Sequence, residues 1–85
     1  MICTVQTNSL SGSFASPWGT DVRITDLRGA YDLLRDWADE HDRIGAEPTD
    51  AHMLVWRGAH DDVTDLYPDW ELTIGPRGGI RRQPC

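Results

Sequence analysis

The chain has 85 residues, enough for one domain, and a net charge of −6. A chain of this length buries only about 60–65% of its unfolded surface, so a deep substrate cleft would weaken a small core. This argues against an enzyme. All eight basic residues are arginine, a bias typical of a GC-rich genome, bacterial or phage. The sequence has neither a signal-peptide pattern nor the run of about 20 apolar residues that spans a membrane. It therefore predicts a single cytoplasmic domain over residues 1–85.

The charges are unevenly distributed along the chain. Residues 26–71 hold thirteen of the fourteen acidic residues and four arginines, so this block carries a net charge of −9. Residues 72–85 contain three arginines and no acid, a net charge of +3. The acidic block disfavours nucleic acid and anionic membranes and favours a basic surface on another protein. Solubility alone also explains an acidic surface, and this interpretation stays open.

Two short strands are predicted before the first helix. Residues 1–6 (MICTVQ) are rich in residues that favour strands, and residues 20–24 (TDVRI) alternate between polar and apolar. Between them, residues 8–19 are rich in Ser and Gly, which indicates a loop or a wide hairpin turn. Trp18 lies in this loop, where it either covers the core or stays exposed for recognition.

Residues 26–44 show the strongest pattern in the chain, an apolar residue every three or four positions. That spacing predicts an amphipathic helix with one buried face. Thr25 or Asp26 can cap its first turn, and Gly45 suits the left-handed residue that ends many helices. The predicted buried face comprises Leu27, Ala30, Tyr31, Leu34, Trp37, Ala38 and Ile44, with His41 in the remaining position.

Three further segments after the helix are predicted to be strands or turns. Residues 51–58 (AHMLVWRG) are apolar on both faces, which is typical of a central strand. Residues 59–69 are polar and irregular, and residues 70–74 alternate with Trp70 inward. After a turn, residues 80–83 form an edge strand. The predicted fold is α+β: four to five short antiparallel strands with one helix packed on a face, in the order ββαβββ.

Few residues in this sequence have the spacing of a catalytic or metal site. Four residues have side chains that suit a divalent metal, but their spacing matches no known ligand pattern. They are His52, His60, Asp61 and Asp62. A metal-dependent enzyme built on them is therefore a remote alternative, and no cofactor is predicted. Cys3 and Cys85 form neither a metal pattern nor a redox pair, and whether they ever pair stays open.

An interaction surface is the remaining source of function. Exposed aromatic residues provide much of the binding energy at interfaces, and surrounding charges accelerate encounter. The residues predicted to bind a partner are Trp18, Asp61, Asp62, Asp65, Tyr67 and Trp70. We expect a small acidic non-enzymatic protein-binding module: an inhibitor, an immunity-type antagonist or a regulatory adaptor. The alternative is a self-associating structural or assembly subunit, a homo-oligomer that pairs through its C-terminal edge strand.

Overall fold

The computed structural model describes residues 1–9 and 21–85, which form an antiparallel sheet with a helix packed on one face. The order along the chain is ββαβββ, as predicted. A short 3₁₀ turn, Pro48–Asp50, precedes the third strand. The strands are β1 (Ile2–Ser9), β2 (Arg23–Asp26), β3 (Ala51–Arg57), β4 (Trp70–Ile74) and β5 (Ile80–Pro84), and the helix is α1 (Leu27–Arg43).

The five strands lie in the order β2-β1-β3-β4-β5, and every neighbouring pair is antiparallel. The prediction that residues 51–58 form a central strand is confirmed, because β3 lies between β1 and β4. Val55 pairs with Val5 on β1 and with Trp70 on β4. Within the described residues, β2 and β5 form the two edges of the sheet.

The core lies between α1 and the sheet face that the helix covers. Directly opposed residues of antiparallel strands point to the same face, so the register identifies this face on every strand. It carries Val5, Met53 and Leu72, which are all fully buried. The helix contributes Ala30, Leu34, Trp37, Ala38 and His41. Apolar alternation in the strands and the three-to-four spacing in the helix thus create one shared core.

Both ends of α1 have the capping groups that the sequence predicts. The Asp26 carboxylate accepts a hydrogen bond from the Gly29 backbone N–H at 2.7 Å, which satisfies one free donor of the first turn. At the other end, Gly45 adopts φ = 85°, a left-handed conformation that favours glycine. The backbone N–H groups of Gly45 and Ala46 donate to the carbonyls of Asp42 and His41, forming a Schellman motif.

The structure differs from the predicted boundaries in three places. Ile44 is 48% exposed, because it follows the last helical residue and lies beyond the buried face. Strand β1 continues to Ser9, which pairs with Ala51. Strand β2 begins at Arg23, later than predicted, and leads directly into α1. Ile24 is 50% exposed, since it lies on the sheet face opposite the helix, at the edge.

The remaining boundaries agree with the sequence prediction to within one residue. Residues 59–69 contain no strand or helix, and residues 75–79 form the predicted turn, with the Gly75 N–H donating to the Gly79 carbonyl at 2.7 Å. Cys3 is buried and Cys85 is exposed, and both are free thiols. Most of the predicted loop over residues 8–19 lies outside the described residues.

Candidate partner-binding surface

Residues 59–69 connect β3 to β4, and we call them the acidic segment. Hydrogen bonds to β1 and β3 anchor it to the sheet near both of its ends. The Thr4 hydroxyl donates to the Gly58 carbonyl at 2.8 Å and accepts from the His60 backbone N–H at 2.9 Å. The indole N–H of Trp56, a nearly buried residue on the sheet face opposite the helix, donates to the Leu66 carbonyl at 3.1 Å. The segment is therefore fixed at both ends although it has no regular secondary structure.

Four of the residues predicted to bind a partner lie on the acidic segment. Asp61, Asp62 and Asp65 are exposed. Tyr67 is 96% exposed, so nearly its whole side chain is in water. Large aromatic side chains normally bury much of their surface, and an aromatic residue left this exposed is an unusual feature in a small domain. The structure thus places Tyr67 and these three carboxylates on a single anchored segment, which also carries the exposed Asp69.

Asp62 is locally ordered by its neighbour Thr64. One carboxylate oxygen, Oδ1, accepts hydrogen bonds from the Thr64 hydroxyl at 2.6 Å and from the Thr64 backbone N–H at 2.9 Å. These two bonds, the hydroxyl first, hold the pKa of Asp62 below its ordinary value. The charge of Asp62 therefore persists to lower pH than that of a free aspartate, and its carboxylate is held in one orientation.

An open groove of about 720 Å³ borders the start of the acidic segment. Asp61 and Asp62 line one part of it, and Trp56 and Gln6 of the sheet line another. The remaining lining includes residues 21–23, which precede and begin β2. The acidic segment therefore lies beside a concave, largely polar surface on the sheet face opposite α1.

Trp70 points inward, as predicted, but its charged neighbours differ from the aspartates expected around it. It lies on the helix-side face, partly buried against the core. The guanidinium carbon of Arg57 lies 4.9 Å from the centre of its ring, and that of Arg82 lies 5.8 Å away. These are cation–π distances, so Trp70 has basic neighbours. The structure therefore does not place Trp70 with Asp61 and Asp62, and Trp18 lies outside the described residues.

Sequence reasoning did not assign Arg57 and Arg82 to Trp70. Arg82 points to the same face as Trp70 because it opposes Leu72 in the β4–β5 register. Arg57 opposes Cys3 and points to this face as well. The alternation in each strand was visible, but the pairing register that brings the three side chains together was not. The only sequence signal for this arrangement was the position of Arg82, a basic residue near the end of a short edge strand.

The residues considered for a metal site have other partners. The Nε2 atom of His52 lies 3.3 Å from a carboxylate oxygen of Glu71, and Nε2 of His60 lies 2.6 Å from the Arg57 carbonyl. In residues 1–9 and 21–85, no three His, Cys, Asp or Glu side chains are grouped so that they could hold a metal ion. The structure therefore does not bring His52, His60, Asp61 and Asp62 into one cluster.

His41 is fully buried at the end of α1, on the helix face predicted to be buried. Its Nδ1 atom lies 2.9 Å from the Trp37 carbonyl, to which it donates, and its ring meets the Trp37 ring edge-on. Its Nε2 atom lies 3.9 Å from a carboxylate oxygen of Asp50, in the turn before β3. His41 thus belongs to the packing between the helix end and that turn.

Comparisons with family models, with curated proteins and with solved structures gave no match for this chain. Among the described residues, no helix has the length and apolar character needed to cross a lipid bilayer. The function therefore has to be argued from the surface itself.

Proposed function

We propose that the protein is a small non-enzymatic binding module whose acidic segment docks on a basic surface of another protein. Such a module acts as an inhibitor, an immunity-type antagonist or a regulatory adaptor. The observation that carries the proposal is the 96% exposure of Tyr67, on a segment with four exposed aspartates, three of which precede it. Tyrosine is enriched among the residues that dominate binding energy, because it buries a large area at a low cost in side-chain entropy.

The aspartates support the proposal through the rate of encounter. Carboxylates around an aromatic anchor attract a basic partner over distances up to the Debye length, about 8 Å at physiological salt. Asp62 is held by Thr64, so part of this field is oriented before binding. A surface that is ordered in the free protein loses less entropy on association.

The anchoring of the segment supports the proposal in the same way. The bonds of Thr4 and Trp56 fix the backbone on either side of the aspartates. Tyr67 is therefore presented from a supported backbone, one residue after the carbonyl that accepts from Trp56. A presented aromatic side chain on a supported loop is typical of binding surfaces.

Capture by immobilised protein from a lysate of the source cell tests this proposal. Wild type is expected to retain a basic protein at low salt and to release it at high salt. Tyr67→Ser should reduce capture about ten-fold, the effect of losing a contact of about 1.4 kcal/mol. Ile44→Ser is the matched control, since Ile44 is an exposed apolar residue on another surface. Equal capture by wild type and Tyr67→Ser would overturn the proposal.

A self-associating subunit is the second candidate, and the position of β5 at a sheet edge is the observation that favours it. An edge strand offers unpaired backbone groups to a neighbouring copy. Light scattering over a range of protein concentrations separates the two candidates. A mass that rises with concentration supports self-association, whereas a monomer at all concentrations supports the binding module.

A further inference from the structure

The backbone of β5 shows which of its groups face away from the sheet. The Cys85 N–H donates to the Asp69 carbonyl, and the Gly79 carbonyl accepts from Gly75, so both of these residues face β4. Backbone groups alternate in direction along a strand. The N–H and C=O groups of Ile80 and Arg82 therefore point to the open edge, together with the carbonyl of Pro84. This edge presents a short row of donors and acceptors.

The side chains of β5 give that edge a positive charge on both faces. Arg82 opposes Leu72 and lies on the helix side, whereas Arg81 opposes Thr73 and lies on the other side. Arg82 is stacked near Trp70, which restricts its guanidinium without using its N–H donors. Within residues 1–9 and 21–85, neither guanidinium lies within 4.0 Å of a carboxylate. Both arginines thus keep their hydrogen-bonding capacity for a partner.

We propose that the open edge of β5 binds an extended acidic peptide segment of another protein, which adds to the sheet as a sixth strand. The backbone of the segment pairs with Ile80 and Arg82. A Glu or Asp side chain opposite Arg81 or Arg82 lies about 5 Å away between Cβ atoms, within reach of the guanidinium. The length of the pairing is limited at both ends of β5, because the turn at residues 75–79 precedes its first residue and Pro84 has no N–H to donate. About five residues of the segment therefore pair with β5.

A second copy of this chain fits the same edge less well. In a two-fold antiparallel pairing, opposed residues must lie on the same face. The register that pairs all five residues of β5 with β5 of a second copy therefore places Arg82 directly opposite Arg82 of that copy. Like charges directly opposite each other destabilise a strand pair, whereas opposite charges stabilise it. Charge complementarity thus favours an acidic segment over a second β5 strand.

The proposal concerns a different surface from the acidic segment and does not rest on the proposed function. Tyr67 and its aspartates would bind a basic protein, whereas β5 would bind an acidic strand. The loss of one activity leaves the other unchanged, so variants at the two surfaces separate them.

Nuclear magnetic resonance of the ¹⁵N-labelled full chain with synthetic peptides tests the proposal. The probes are a ten-residue peptide of alternating Glu and Thr, the matched Lys/Thr peptide, and a Glu/Thr peptide with methylated backbone nitrogens. The Glu/Thr peptide is expected to shift the Ile80 and Arg82 amide signals most and to slow their hydrogen exchange. The Lys/Thr peptide should bind about ten-fold more weakly, and the methylated peptide should leave both amides unprotected.

Two arginine variants complete the experiment. Arg82→Gln should reduce the affinity for the Glu/Thr peptide about two- to five-fold, the effect of losing one cross-strand ion pair. Arg28→Gln, on an exposed helical position, changes the net charge equally and should leave the affinity unchanged. The proposal is wrong if the Glu and Lys peptides bind alike, if the shifts lie away from β5, or if the methylated peptide protects the amides. Protection of the β5 amides in the protein alone, with a dimer in sedimentation, would also overturn it in favour of a second copy.

Discussion

Gly29 lies in the first turns of α1, where glycine normally costs about 1 kcal/mol relative to alanine. The sequence alone therefore marks it as a weak point in the helix. In the structure, a Cβ atom on Gly29 would lie 2.0 Å from the Thr25 hydroxyl oxygen and 3.2 Å from the Thr25 Cβ atom. The Thr25 side chain would therefore have to shift to admit a Cβ atom at this position.

We expect Gly29→Ala to lower the free energy of unfolding by about 1–3 kcal/mol, the usual effect of overpacking, instead of raising it. In a Thr25→Ala background the same substitution should cost less, because the hydroxyl that it meets is gone. Urea unfolding of wild type, the two single variants and the double variant measures both effects. A Gly29→Ala variant more stable than wild type would contradict the packing described for the helix start.

The helix and the sheet depend on one another through the buried face of α1. Leu34 is fully buried in the core, whereas its neighbour Leu33 is only partly buried at the margin of the core. An 85-residue domain has a small margin of stability, so the loss of one central side chain has a large relative effect. The two leucines therefore provide a matched comparison on one helix.

Leu34→Ala should reduce the free energy of unfolding by about 2–5 kcal/mol, because it removes buried methylene groups and leaves a cavity. Leu33→Ala should cost clearly less, since part of that side chain is already in water. Denaturant midpoints at low temperature compare the two variants with wild type. Equal costs for both substitutions would mean that α1 does not pack on the sheet through the face described here.

Much of this fold could be predicted from local sequence patterns. The spacing of Leu34 and Trp37 identified the helix, and the alternation of residues 70–74 identified β4. The boundaries of β2 could not be predicted in this way. Because β2 is an edge strand, Ile24 stays half exposed, and the alternation in TDVRI does not mark a buried face.

The candidate surface was only partly predictable for a related reason. The acidic composition of residues 59–69 and the presence of Tyr67 are visible in the sequence. Which face of the sheet Trp70 occupies relative to that segment depends on strand order and register, which single-sequence patterns do not specify. The stacking of Arg57 and Arg82 around Trp70 is a consequence of that register, and it separates Trp70 from the aspartates.

Considered as a whole, the molecule has two surfaces of opposite charge. The acidic segment displays Asp61, Asp62 and Asp65, and the β5 edge displays Arg81 and Arg82. The net charge of −6 hides this separation, because the acids outnumber the arginines overall. The two proposals assign a basic partner to one surface and an acidic strand to the other, and each interaction should have its own dependence on salt.

Stopped flow can measure the rate at which the captured partner associates with the protein over a range of salt concentrations. This rate decides whether the acidic segment is the docking surface. A triple variant with Asp61, Asp62 and Asp65 changed to Asn should associate about ten-fold more slowly at low salt, with a flatter salt dependence. The control changes Asp36, Asp39 and Asp42 to Asn on the exposed face of α1, which alters the net charge equally. It should stay close to wild type. If the segment variant associates as fast as wild type, or if both variants slow equally, the acidic segment does not guide binding.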